Sequence, residues 1–270
     1  MPTEFRNRLA ADPTISDTDK YYFFYMYDLG ADFIVPMAKV TGIFKSGEAV
    51  AEIGSAEGGV LMAFAEEGAT DCLATDIALD RLETGKEIAR KGDFAIEFTS
   101  HDIINDKPED RWREHYNLVL LRDVIEHLDN TEKALSNIKT IIKPGGRLYV
   151  TFPPYFSPFG GHQHTVANTG GKIPWIHLLP NSIFQLLIKT GRKQDIEEVK
   201  RLQKIRLTIA KFEQAALKSG FTIEKRVLYL LRPVFKMKFG LPTLPLNILS
   251  WIPGVKRFFT LEAAYTLRKD

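Results

Sequence analysis

Three groups of residues in this chain have types and spacings that chemistry can use. The first is Ala49-Val50-Ala51-Glu52-Ile53 running into Gly54-Ser55-Ala56-Glu57-Gly58-Gly59: an apolar run that carries a carboxylate and passes into a glycine-rich turn. Glycines there let the backbone approach a ligand, and a helix starting at the turn aims its first amides at it. Asp76 ends the next apolar run, where an acid about 20 residues past such a turn grips the hydroxyl pair of a ribose. The second group is Tyr155, His162 and His164, in a segment rich in Pro, Gly and aromatics. Imidazole titrates near neutrality and suits a general base, whereas Tyr155 orients a hydroxyl or, more commonly for a loop aromatic, packs. The third is Asp123, Glu126 and His127 at i, i+3 and i+4. Carboxylate plus imidazole can hold a divalent cation, but the plainer reading has Glu126 and His127 hold each other and cap the loop, so no metal is expected.

The elements that must position these groups alternate. Short β-rich runs at 49–53, 72–76, 94–100, 117–122 and 146–152 are bounded by Gly, Pro, Asp or Asn, and several are nearly all apolar, as strands covered on both faces are. Helical patterns at 60–67, 78–91 and 130–142 lie between them, the last stopped by Pro144-Gly145-Gly146. Alternation of this kind predicts an α/β fold with a doubly wound, mostly parallel Rossmann-like sheet, helices on both faces and cap insertions. Two later runs at 221–231 and 261–268 bring the expected strands to seven. Residues 1–44 read as an aromatic-rich helical lid interrupted near Gly30 and Pro36, 45–152 as the core and 153–194 as a cap insertion. Residues 195–270 complete the sheet, with one amphipathic helix expected over 195–219 and an apolar basic insertion at 232–260.

The chain has 270 residues, 44% of them hydrophobic and 26% charged, which excludes disorder, collagen and coiled coil. The lone Cys72 cannot form an internal disulfide, and the start lacks a basic-then-apolar export pattern, so a reducing, cytoplasmic setting is expected. A net charge of +2 argues against nucleic acid as a partner. The charge is uneven: 133–194 and 232–261 hold eight and five Lys and Arg and no acid, which suits an anionic small molecule or peripheral contact with an anionic membrane surface. Oligomeric state leaves no mark in the sequence.

From about Gly47 to Phe152 the chain resembles a class I S-adenosylmethionine-dependent methyltransferase of the small-molecule, type 11-like kind. Glu52-Ile53-Gly54-Ser55-Ala56-Glu57-Gly58 matches the family's E/D-x-G-x-G-x-G except at Ala56. The resemblance implies S-adenosylmethionine as cofactor. Glu52 and the turn Gly54, Ser55, Ala56 and Gly58 would hold the methionine end, Asp76 with Ile77 the ribose, and Asp102 with Ile103 the adenine. Asn117-Leu118-Val119-Leu120-Leu121-Arg122-Asp123 is similar to the family's fourth strand and following loop, which adds Arg122 and Asp123 to the cofactor residues. His162, His164 and Tyr155 would then meet the acceptor, expected to be a hydroxyl on a lipid-like, isoprenoid or glycan-type metabolite. Two other readings stay open. An NAD-dependent oxidoreductase or nucleotide-sugar enzyme uses the same kind of turn, although no suitably placed Tyr-x-x-x-Lys is found, and a non-catalytic binding protein retains the fold.

Overall fold

The computed structural model describes residues 1–246, 252 and 254–270; the part of the 232–260 insertion at 247–251 and 253 lies outside the described residues. The helices are α1 (Thr3–Ala10), α2 (Asp17–Leu29), α3 (Val35–Val40), α4 (Gly59–Glu66), α5 (Leu79–Gly92), α6 (Thr131–Ile141), α7 (Asn181–Ile188), α8 (Lys193–Ile205), α9 (Ile209–Lys218), α10 (Val234–Phe239) and α11 (Val255–Phe259). The strands are β1 (Ala49–Ile53), β2 (Thr70–Asp76), β3 (Ile96–Ser100), β4 (Tyr116–Arg122), β5 (Ile142–Phe152), β6 (Phe221–Leu231), β7 (Leu244–Pro245) and β8 (Glu262–Lys269). They form one sheet in the order β3-β2-β1-β4-β5-β8-β6-β7. The expected α/β, mostly parallel architecture is present, with eight strands among the described residues where the sequence predicts seven. The extra one, β7, is two residues long and pairs antiparallel with β6.

The chain divides into two compact units, the first comprising residues 1–122, 136–149 and 268–270 and the second 123–135 and 150–267. In the first, β1 pairs in parallel with both β2 and β4, and β2 with β3. All five residues of β1 are buried, because a strand flanked and covered on both faces has no solvent side. The aromatic N-terminal segment is a helix, α2, that passes through a π-turn at Gly30–Ile34 into α3. It lies hard against α4: a Cβ at Gly59 would meet the Phe23 carbonyl oxygen at 2.8 Å, and one at Gly30 would meet Ala63 Cβ at 2.9 Å. The N-terminal helices are thereby locked to the helix that begins at the glycine turn.

In the second unit, the one helix expected over 195–219 is two. Arg206 takes a left-handed conformation at the end of α8, and Thr208 starts α9 by accepting a hydrogen bond from the Lys211 amide. The apolar stripe of Val199, Leu202, Ile209, Phe212 and Ala216 runs on across the break, and all five are buried. Val166, Ile176, Phe184 and Ile188 of the cap form a core with Val199 of α8. Phe152, Phe212 and Tyr265 form a second cluster, with ring centroids 4.7 to 6.2 Å apart.

Candidate functional site

The turn after β1 is fastened from several sides. The amides of Gly54 and Ser55 both donate to the Thr75 carbonyl, at 2.7 and 2.9 Å, and that of Gly58 to the Ser55 carbonyl at 2.8 Å. Ala56 N–H donates to Asp76 Oδ2 at 2.8 Å, while Asp76 Oδ1 accepts from Ala78 N–H at 2.9 Å. Glu57, 2% exposed, takes a two-pronged contact from Arg81 at 2.7 Å on each oxygen. The turn is therefore preformed, with the amides of Gly54, Ser55 and Ala56 all committed to β2.

Positive φ angles at Gly54 (70°), Ala56 (52°) and Gly58 (73°) explain its composition. Glycine reaches that region freely, whereas an L-residue such as Ala56 is strained there by about 1–2 kcal/mol. The departure from the family pattern thus falls on a position whose backbone wants glycine. At Gly58 a Cβ would also stand 2.9 Å from Phe98 Cε1.

Glu52 and Arg122 lie in the same unit, 2% and 7% exposed. Burial pushes the Glu52 carboxyl up to about 7, against the pull of the Arg122 charge and a hydrogen bond from the Leu61 amide. Glu52 Oε2 and Arg122 Nη1 are buried without a hydrogen-bond partner among the described residues. Such atoms carry a desolvation cost that a ligand can relieve. The methionine end of S-adenosylmethionine carries an ammonium and a carboxylate, the two charges that these side chains complement, so the residues present fit that group.

The remaining candidates of this unit are spread along the carboxyl ends of its strands. Ile77 is 73% exposed and Ile103 buried at 5%. Asp102 is half-buried and already employed: Oδ1 accepts from the Ile104 and Asn105 amides at 2.8 and 3.1 Å, and Oδ2 from the Asn105 side chain at 2.8 Å. Those bonds hold its carboxyl below the usual range, against a burial effect that raises it.

In the second unit, Asp123 Oδ2 accepts from Arg232 Nη2 at 2.6 Å, and Arg232 also pairs with Glu262 at 2.9 Å. Tyr155, 3% exposed, packs edge-on against His177 and lies under the Arg206 guanidinium. Its hydroxyl reaches the His177 carbonyl at 3.5 Å and also meets the Arg206 side chain, so packing and anchoring are its visible roles. His162 and His164 part company: the His162 side chain is 15% exposed, whereas His164 lies on the surface beside Phe159.

His162 takes a left-handed conformation that turns its ring toward His127, 4.8 Å away, and Glu126. Burial, aided by the neighbouring His127 charge, pushes the His162 imidazole down to about 3, so it is neutral at physiological pH. Burial likewise lifts the Glu126 carboxyl to about 8. At His127 burial opposes the charge, but the Glu198 carboxylate, 2.6 Å from Nδ1, outweighs it and raises the imidazole. Glu198, on α8, is a member that the sequence does not single out, since its helix announces only amphipathy. Glu126 and His127 are neighbours, 3.8 Å from Oε1 to Nε2, but it is Glu198 that holds His127, while His162 stands beside both and Asp123 is held by Arg232.

A methyltransferase-domain family model matches residues 25–223, well over half of the chain. Phosphoethanolamine N-methyltransferase 2 of Caenorhabditis elegans is 28% identical over 136 residues, which cover 47% of this chain and 30% of that protein, so the chain spans under a third of that relative's length. An S-adenosylmethionine-dependent methyltransferase of Mesorhizobium loti superposes with a TM-score of 0.55 at 14% identity over 88% of this chain and 99% of that one. Magnesium protoporphyrin IX methyltransferase of Synechocystis, solved with bound SAH, does so with a TM-score of 0.52 at 12% identity over 99% and 94%. At such identities the two structures speak for the fold alone, and the family model decides against the NAD-dependent reading of the glycine turn. The chain belongs to the methyltransferase-domain family, the class I enzymes whose cofactor is S-adenosylmethionine.

Proposed function

We propose that this protein moves a methyl group from S-adenosylmethionine to a hydroxyl oxygen of a small molecule that joins an apolar body to an anionic group, such as a lipid-linked, isoprenoid or glycan-type metabolite of the cytoplasm. The cofactor supplies a sulfonium methyl that is already a strong electrophile. The chain's residues have to bind and align the acceptor, exclude water and take its proton.

The observation that carries the acceptor class is a cavity of about 810 Å³ in the second unit. Tyr155, Phe156, Leu178, Leu179 and Phe258 give it apolar walls, and Lys200, Lys204 and Arg206 line it with positive charge. A neighbouring cavity of about 540 Å³ joins Phe156, Ile209, Lys256 and Arg257 with one acid, Glu213, and the Arg257 guanidinium stands 3.8 Å over the Phe156 ring. Support for a hydroxyl, which must lose a proton as the O–CH3 bond forms, comes from His162, whose buried imidazole is neutral and whose Nε2 has no hydrogen-bond partner among the described residues. An amine or thiolate acceptor needs no such group.

The test is label transfer from methyl-tritiated cofactor to a panel of hydroxylated aromatic and prenyl acids, their neutral amides and their amino analogues. The expected result is label on oxygen, with Lys204→Ala and Arg206→Ala raising KM for the acids and leaving the neutral amides and SAH affinity unchanged. Label on nitrogen, or equal turnover of acids and amides, overturns the proposal. Phe239, Leu241 and Leu244 are exposed beside Lys236 and Lys238, which supports peripheral contact with an anionic membrane. Equal flotation with anionic and neutral vesicles removes that part.

A further inference from the structure

Three side chains of the second unit converge on one point. Glu126 Oε1 lies 3.8 Å from His127 Nε2 and 3.6 Å from His162 Nε2, and one ligand atom from each residue lies within 4.8 Å of the others. The Glu126 side chain is 4% exposed, yet among the described residues neither of its oxygens has a hydrogen-bond partner in another residue, nor has His162 Nε2. A buried carboxylate facing two ring nitrogens is costly while it lacks a donor, and a single cation among them satisfies all three.

We propose that Glu126, His127 and His162 bind one divalent cation of the zinc class, with Glu198 as the positioning residue that sets the His127 ring for ligation. Bonds of about 2.1 Å in a tetrahedral site separate ligand atoms by about 3.4 Å, close to the two Glu126–imidazole distances. Two imidazoles and one carboxylate suit zinc, whereas calcium and magnesium take oxygen ligands. His127 Nδ1 stands 2.6 Å from Glu198 Oε1, and Glu198 Oε2 accepts from Arg201 at 3.3 Å. A proton held on Nδ1 by that carboxylate leaves the Nε2 lone pair free for the metal, the usual support of a ligating histidine. Asp123, engaged by Arg232, stays outside the set.

Three protein ligands leave a fourth position open. The cation would supply Lewis-acid help in the loss of the acceptor hydroxyl's proton to water, with His162 then serving as ligand and not as base; this clause rests on the methyl-transfer reading, and the metal site does not.

The test uses the full chain, stripped with a chelator and titrated with zinc sulfate in the absence of cofactor and acceptor. Calorimetry is expected to show one equivalent bound, and cobalt(II) in place of zinc should give the visible absorption of a four- or five-coordinate site. Glu198→Gln should weaken zinc by about 10- to 100-fold; Glu126→Gln and His162→Ala should weaken it further, and His164→Ala not at all. Glu126→Gln keeps the buried shape, and retention of SAH binding reports that each variant is folded. Absence of stoichiometric zinc, or zinc affinity unchanged in Glu126→Gln and His162→Ala, overturns the proposal. Loss of SAH binding by the parent protein would instead strike the methyl-transfer reading.

Discussion

Protonation of Glu52 should govern cofactor affinity. In the free protein its carboxyl is held at about 7 by burial, so it is largely protonated at pH 5.5 and largely ionised at pH 7.5. The ammonium of S-adenosylhomocysteine favours the charged form, so binding releases a proton wherever free Glu52 still carries one. For a group titrating at about 7 that must be ionised in the complex, affinity rises about 25-fold from pH 5.5 to 7.5. Calorimetry in buffers of different ionisation enthalpy measures the release, expected to be near one proton at pH 5.5 and to fall as pH rises. Glu52→Gln should flatten the profile and cost about 1.5–3 kcal/mol of affinity, the value of a charge-assisted hydrogen bond. The same shift sets a stability trend. A carboxyl raised in the fold stabilises fully below its unfolded value near 4.5 and loses that contribution as pH climbs through about 7, by about 3 kcal/mol at most. Affinity that is flat between pH 5.5 and 7.5, with no buffer dependence of the enthalpy, would refute the assignment of Glu52 to the ligand's ammonium.

Two substitutions probe the turn itself. Ala56→Gly removes the strain of a φ of 52° and loses part of that gain to the freer unfolded chain, so thermal melting should show about 0.5–1 kcal/mol of added stability with SAH affinity retained; a loss above about 1 kcal/mol would mean that the Ala56 methyl packs usefully. Asp76→Ala strips the Ala56 and Ala78 amides of their acceptor along with the group assigned to the ribose, so SAH affinity should fall by about 1.5–3 kcal/mol and the melting temperature with it; a lower melting temperature with unchanged affinity would leave Asp76 a purely structural residue.

Much of the fold can be read from local signals, because strands such as β1 and β4 are buried nearly throughout and announce themselves as apolar runs between turn residues. The break between α8 and α9 is hidden for the opposite reason. Its apolar stripe keeps helical spacing through Arg206-Leu207-Thr208, and only a left-handed Arg206 and a Thr208 cap, neither distinctive in sequence, interrupt it. The glycine turn and Asp76 are legible because their backbone demands are local, and the Asp76 contact with the Ala56 amide ties them together. His162 is visible as a residue with chemistry, but its company is not. Glu126, His127 and Glu198 reach it from a turn after β4 and from α8, and no spacing rule links such distant positions. The exposure that separates His164 from His162 is likewise a product of how the loop folds.

A crystal structure of the protein with S-adenosylhomocysteine tests most directly whether the turn after β1 is a cofactor site. The expected result is the amino-acid end of the ligand against Glu52 and Arg122 and its ribose hydroxyls on Asp76. A ligand bound elsewhere, with Glu52 Oε2 and Arg122 Nη1 still lacking partners, would contradict it.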